Sequence, residues 1–412
     1  MIPAAPWIAK WIVAGGRLPR NAAPGEIALE VAGGNRDTPR DMANSQESGT
    51  RGTPALPPDP SGRIVFLDAL RGPAALLVVY DHLAGTFLDQ YKAHWAVLDF
   101  VRRRVSGPLG IIQDFGWLGV VLFFLVSGFI ITHRALRESA GEFAVRRVFR
   151  IYPPLILAIL VSVAIYTALG HPPGVSAGGI FRSFTLLNYW MVPQQVTYGG
   201  AWTLAVELQF YLLVGLLAPL LRRHFALFVL AETLTIAFVL ATARNWTTQY
   251  SLFASSTAYL PYLLCGQLVY GYFWAKLLRM RDFLALQLLV LGVMQYGTIR
   301  MHPQFLPASN SYLISFVYAY ALFLVCALLN PAPGRLLKAL SDRSYSVYLL
   351  HGSVPVGIMT VLYGRLGVPY VASLAIGLAG LALSVELSFR WIEMPAQQFG
   401  RRLSRLVTGS AR

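Results

Sequence analysis

About ten stretches of this 412-residue chain are apolar for close to the length that crosses a lipid bilayer, and that repeated pattern constrains the fold more than any single motif. They lie near 66–88, 115–135, 152–170, 202–221, 225–243, 256–275, 283–299, 312–330, 345–363 and 369–389. A hydrocarbon core takes roughly 20 helical residues per crossing. Backbone N–H and C=O groups in lipid must pair within the protein, so the pattern predicts an all-α fold, a polytopic transmembrane bundle of about ten helices. Apolar residues make up 56% of the chain and charged residues 13%, which excludes an ordinary soluble domain.

The chain is expected to divide into three parts. Residues 1–62 are rich in Pro, Gly, Ala, Asn and Arg without an apolar period, as in a disordered cytoplasmic leader, and Met42 offers an alternative start. The stretch from Ile2 to Val13 is broken by Pro3, Pro6 and Lys10 and makes a poor signal peptide. Residues 63–400 form the transmembrane domain, and 401–412 a short basic tail. The net charge of +15 is carried almost wholly by arginines between the apolar stretches, which points to anionic lipid headgroups rather than nucleic acid. With both termini cytoplasmic, the inside loops and tail hold most of these arginines, as the positive-inside rule requires. Against that distribution, Arg102, Arg103 and Arg104 fall outside and read as a solvated rim. Cys265 and Cys326 lie within apolar runs, so neither a disulfide framework nor a metal spacing is present.

Two ionisable residues interrupt the first apolar stretch. Arg71 and His82 are eleven residues apart, three helical turns plus roughly 20°, so both leave the helix on nearly one face, about 16 Å apart along its axis. Ionisable groups at membrane depth are costly and mark a substrate path or a catalytic group. A buried imidazole suits a general base for a hydroxyl, which makes His82 the leading candidate, although a histidine satisfied by a neighbouring helix is the plainer alternative. Asp81 is about 100° away around the helix, so an orienting carboxylate is expected from another helix, with Glu207 the most suggestive supplier. Glu232 and Glu386 are the other acids in apolar stretches.

Other segments are suggestive without being decisive. Arg146, Arg147 and Arg150 precede the third stretch in an arrangement suited to phosphates, and equally to the positive-inside rule. Ser127 and Gly128 offer small residues for close helix approach, and Ser127 lacks the strand-turn-helix elbow of a serine nucleophile. Trp202 and Tyr211 suit interfacial anchoring, while Tyr348 and His351 are candidates to line a substrate path.

Taken in order, these segments resemble acyltransferase family 3, the bacterial integral-membrane O-acyltransferases acting on glycans and related acceptors. The resemblance rests on Leu67-Asp68-Ala-Leu-Arg71-Gly72 leading to His82, Phe123-Phe124 with Ser127-Gly128-Phe129, Arg147 through Pro153, Trp202 through Glu207 with Phe210-Tyr211, Tyr262 through Gly266, Ser344 through His351, and Ile392-Glu393-Met394-Pro395. It implies acyl transfer, most commonly of acetyl, from cytoplasmic acyl-CoA to a hydroxyl of a carbohydrate or glycan precursor, with acyl-CoA as a substrate and no permanently bound cofactor or metal. It also implies a multi-pass protein of the bacterial cytoplasmic (inner) membrane. By resemblance, Arg71 and His82 are the essential pair and Arg147 and Arg150, with Arg71, contact the donor; Glu207 and Tyr348 match recurrent positions, and Trp202, Tyr348, His351 and Ser127 are candidate substrate-lining residues. Thr203 stands where the family usually has serine, and Pro73 follows the Arg-Gly pair, where its place near the helix start makes it tolerable. With few residues after the last stretch, the chain looks like the form without an SGNH domain. The rival reading is a transporter or flippase of a lipid-linked glycan, because intramembrane Arg, His and Glu also line transport paths.

Overall fold

The computed structural model describes residues 64–407 except 171, 173, 195–198 and 303–308. The expected leader, Met42 and residues 408–412 lie outside the described residues. Every regular element among the described residues is helical. Among the described residues, eight helices are long and apolar enough to cross a membrane, and nine if one bent pair counts as a single span. The helix carrying Arg71 and His82 is not among them, because Asp68, Arg71, Asp81 and His82 reduce its apolarity.

That helix, α1, spans Val65–Tyr80 and continues through a wider π-turn at Asp81–Thr86 into Phe87–Tyr91. Pro73 lies in its interior rather than near its start, a departure from the sequence expectation. α1 packs between α2, Gly116–Arg137, and a helix from the far end of the chain, Arg335–Leu350. α3 spans Ala140–Ala168. It begins well before the expected boundary because Ser139 caps it, accepting from Glu142 N at 3.2 Å in a Ser-x-x-Glu arrangement. The three arginines therefore lie on the helix rather than ahead of it.

α4, Trp202–Leu216, and α5, Phe225–Thr242, lead to α6, Leu260–Val269. α2 and α6 cross with almost no side chain between them. A Cβ built on Gly128 would fall 1.8 Å from the Leu263 carbonyl oxygen, and one on Gly266 would fall 2.0 Å from that of Leu125. Each helix thus needs its glycine for the other's backbone to approach, the small-residue contact anticipated at Gly128.

α7, Met280–Met301, and α8, Ser309–Leu329, precede α9, Arg335–Leu350, and α10, Val354–Leu362. The stretch expected as one span at 345–363 is instead two helices bent by 59°. Three residues, His351, Gly352 and Ser353, form the break. α11, Tyr370–Ser388, continues through a π-turn at Phe389–Glu393 into α12, Met394–Val407. Residues 401–407, expected as tail, are the end of α12, which packs along α3. Leu288, Leu329 and Leu383 are 71%, 73% and 64% exposed, an apolar exterior that lipid solvates and water does not.

Candidate active site

His82 sits in the first turn of the π segment, where the widened backbone ladder re-aims side chains. Its Nδ1 is 2.9 Å from the Val78 carbonyl oxygen. A carbonyl oxygen only accepts, so the neutral ring carries its hydrogen on Nδ1 and its lone pair on Nε2. That tautomer can take a proton. His82 is oriented by its own helix rather than by a carboxylate from another. Asp81 Oδ2 lies 3.7 Å from Nδ1, and Glu207 belongs to a different cluster.

His351, at the break between α9 and α10, lies edge to face with His82, 4.7 Å between ring centroids. Its Nδ1 is 2.6 Å from the Tyr348 carbonyl oxygen, and its buried Nε2 has no hydrogen-bond partner among the described residues. By the same reasoning its lone pair is on Nε2. The two rings come from opposite ends of the sequence and are brought together because α1 and α9 pack along their lengths.

One side of His82 opens into a cavity of about 700 Å³. Its wall includes Asp81, Asp89, Arg102, Asp114, Trp202 and Tyr259. Arg102, expected as solvated rim, instead spans two carboxylates. Its Nε is 2.9 Å from Asp114 Oδ1, and its terminal nitrogens lie 2.8 and 2.9 Å from the Asp89 oxygens. Hydrogen bonds to Asp114 first, and to Asp89, hold the Arg102 guanidinium above its ordinary range, firmly protonated. Two glycines make room for this acidic wall. A Cβ on Gly116 would fall 2.3 Å from Asp81 Oδ2, and one on Gly85 would fall 2.4 Å from Asp114 Oδ2.

A separate crevice of about 60 Å³ is lined by Arg71, Ser127, Arg150, Thr203, Glu207 and Tyr348 among others. Cavity and crevice share Val120, and the adjacent residues Trp202 and Thr203 line one each. Within the crevice the Tyr348 hydroxyl is 2.6 Å from the Gly200 carbonyl oxygen and 2.6 Å from Thr203 Oγ1. Tyrosine has one proton and the carbonyl requires it, so Thr203 donates to Tyr348. Glu207 accepts from Tyr211. Arg71 Nε is buried without a hydrogen-bond partner among the described residues.

The three arginines of α3 separate in role. Arg146 pairs with Glu138 at 3.0 Å and with Glu142, and reaches Ser404 of α12 at 3.2 Å. Arg147, expected beside the donor, is 3.6 Å from Glu138 and stacks over Phe143 and Tyr211, with its guanidinium carbon 4.9 and 5.6 Å from their centroids. Of the three, Arg150 alone lines the crevice. No group of three or more potential metal ligands occurs among the described residues.

The family model for an acyltransferase domain, family 3, matches residues 64–389, which takes in every element that builds the cavity and the crevice. The chain belongs to acyltransferase family 3. It is 26% identical over 328 residues to "O-acetyltransferase OatA" of Staphylococcus aureus, covering 69% of this chain and 53% of that one. It is 27% identical over 321 residues to "Nodulation protein 10" of Rhizobium leguminosarum bv. viciae, covering 69% of this chain and 85% of that one. The chain thus spans about half the length of OatA. No solved structure matches it.

Within this family 3 protein, the residues that sequence reasoning missed line the cavity. Asp89 and Asp114 had no partner visible in the sequence, Asp81 figured only as an orienting group for His82, and Tyr259 and Tyr312 belonged to no motif. One signal was present: Asp114 stands two residues before Gly116 at the start of an apolar run, and aspartate tolerates left-handed backbone better than most residues. Gln113, Asp114 and Phe115 do adopt φ values of 51°, 44° and 72°.

Proposed function

We propose that this family 3 member is an O-acetyltransferase that moves the acyl group of acyl-CoA from the cytoplasmic face to a hydroxyl of a carbohydrate or glycan precursor held in the cavity. The observation that carries this reading is the position of His82, with its lone pair on Nε2, on the wall of a cavity that shares the lining residue Val120 with the Arg71 crevice. In this account the arginine-rich end of the bundle is cytoplasmic, as the positive-inside rule favours, and the Arg102 end faces out of the cell, in a bacterial inner membrane.

The thioester is already activated, so the reaction needs a base and groups that bear developing negative charge. Arg71 and Arg150 contact the donor, and Thr203 and Tyr348 shape the passage between them and His82. His82 Nε2 takes the acceptor hydroxyl's proton while the oxygen bonds to the thioester carbon. The tetrahedral adduct collapses, the carbon–sulfur bond breaks, and the CoA thiolate takes the proton back from His82. The crevice holds only about two water volumes, so the pantetheine arm passes when its lining side chains part. The transporter reading loses ground because family membership supplies a group-transfer chemistry for the same polar residues.

The test is chemical. Surface glycans from a deletion strain, with and without the complementing gene, are compared by NMR and mass spectrometry. The proposal expects O-acetyl esters to disappear and return. Unchanged esters, together with no acetyl-CoA-dependent acylation of any envelope fraction, would overturn it.

A further inference from the structure

We propose that the cavity selects an uncharged sugar unit and turns away anionic ones, and that the Asp89–Arg102–Asp114 bridge sets this selectivity. The inference rests on the reading of the cavity as the acceptor site and adds the acceptor's charge class.

The argument is one of charge already committed. Arg102 is the only guanidinium or ammonium among the described residues that line the cavity. Four of its five N–H groups are taken. Nε is shared between the two Asp114 oxygens, one terminal nitrogen bonds to Asp89, and the other bonds to both Asp89 and Asp114. Asp114 is 8% exposed in its side chain, so that pairing is sheltered from competing water. His82, the other basic group on the wall, acts as a neutral base. Against one spent cation stand two carboxylates, Asp89 and Asp114, with the partly buried Asp81 carboxyl beside them. A uronate or a sugar phosphate entering here meets net negative charge and, among the described lining residues, no free cation to neutralise it.

The same wall suits a neutral sugar. Trp202 and Tyr259 pack at 4.9 Å between centroids and present apolar ring surface with electron-rich faces, against which sugar C–H groups pack. The remaining lone pairs of the bridge carboxylates, each oxygen of which already accepts from Arg102, accept from sugar hydroxyls in charge-assisted bonds. A cavity of about 700 Å³ falls within the range that encloses a small ligand and accommodates one or two sugar units.

The test uses two soluble, nearly isosteric acceptors of different charge, methyl β-D-glucuronide and its uncharged amide, methyl β-D-glucuronamide. Full-length protein in proteoliposomes is given radiolabelled acetyl-CoA. Transfer to each sugar is read by mass spectrometry, and CoA-thiol release without sugar is read in parallel. The expected result is transfer to the amide exceeding transfer to the uronate by more than about tenfold. In the Asp89→Asn protein, where Arg102 loses one charged partner, the ratio narrows toward unity. Equal transfer, preference for the uronate, transfer to neither sugar, or an unchanged ratio in Asp89→Asn overturns the inference. CoA-thiol release separates the two claims: release with the wrong acceptor preference defeats only the charge selectivity, and no release at all defeats the acyl-transfer reading itself.

Discussion

The imidazoles of His82 and His351 meet edge to face, 4.7 Å between centroids, one from the π-turn of α1 and the other from the break between α9 and α10. Both irregularities in helix geometry thus occur where the two rings touch. If His351 holds the His82 ring in place, its removal acts on rate rather than on donor binding. His351→Ala should lower kcat by up to about a hundredfold, the scale of a small misplacement of a reacting group, and leave the acetyl-CoA KM unchanged. Steady-state kinetics on folded protein check this. An unaltered kcat would make the contact mere packing.

Arg71 contacts the donor in this account, and its Nε has no hydrogen-bond partner among the described residues. A charge-assisted hydrogen bond is worth ~1.5–3 kcal/mol, so Arg71→Lys, which keeps the charge but not the planar fork, should raise the acetyl-CoA KM about tenfold or more. Acceptor KM should not move. A change confined to the acceptor would assign Arg71 to the wrong substrate.

Thr203 stands where serine is usual in the family, and the structure uses only its hydroxyl, as donor to Tyr348. Thr203→Ser should behave as wild type. Thr203→Val leaves the Tyr348 oxygen without that donor in a buried site, a loss of ~1–3 kcal/mol, and should lower both melting temperature and transfer rate. Thermal melts in detergent read the first effect and acetyl transfer the second.

The α2–α6 crossing predicts a sharp contrast among glycines. At Gly128 or Gly266 a methyl group collides with backbone, which cannot swing aside, so Gly128→Ala and Gly266→Ala should each destabilise by at least ~1–3 kcal/mol. At Gly292, inside α7, a Cβ meets nothing within 4 Å. Gly292→Ala should be neutral or stabilising by ~0.5–1 kcal/mol, since alanine loses less backbone freedom in a helix. Melting curves that failed to separate Gly292 from the other two would contradict the crossing.

What could be read in the sequence follows from range. The helical bundle and the Gly128 approach depend on local periodicity, which a sequence displays directly. Two helix boundaries differ from expectation through local detail of another kind. Ser139 starts α3 early, so that Arg147 lies on the helix beside Glu138, Phe143 and Tyr211, and the break at His351 divides a run whose hydropathy is continuous. The Arg102 bridge was hidden because Asp89 and Asp114 reach it across turns on either side, one turn built from three left-handed residues that no periodicity announces.

The central claim is that His82 takes the acceptor's proton. The most direct measurement is incorporation of radiolabelled acetyl from acetyl-CoA into the glycan fraction of deletion-strain membranes carrying either wild-type protein or His82→Gln at equal, folded abundance. Loss of a positioned general base predicts a fall of about a hundredfold or more, with acetyl-CoA binding and the melting temperature intact. Wild-type incorporation by His82→Gln would contradict the account.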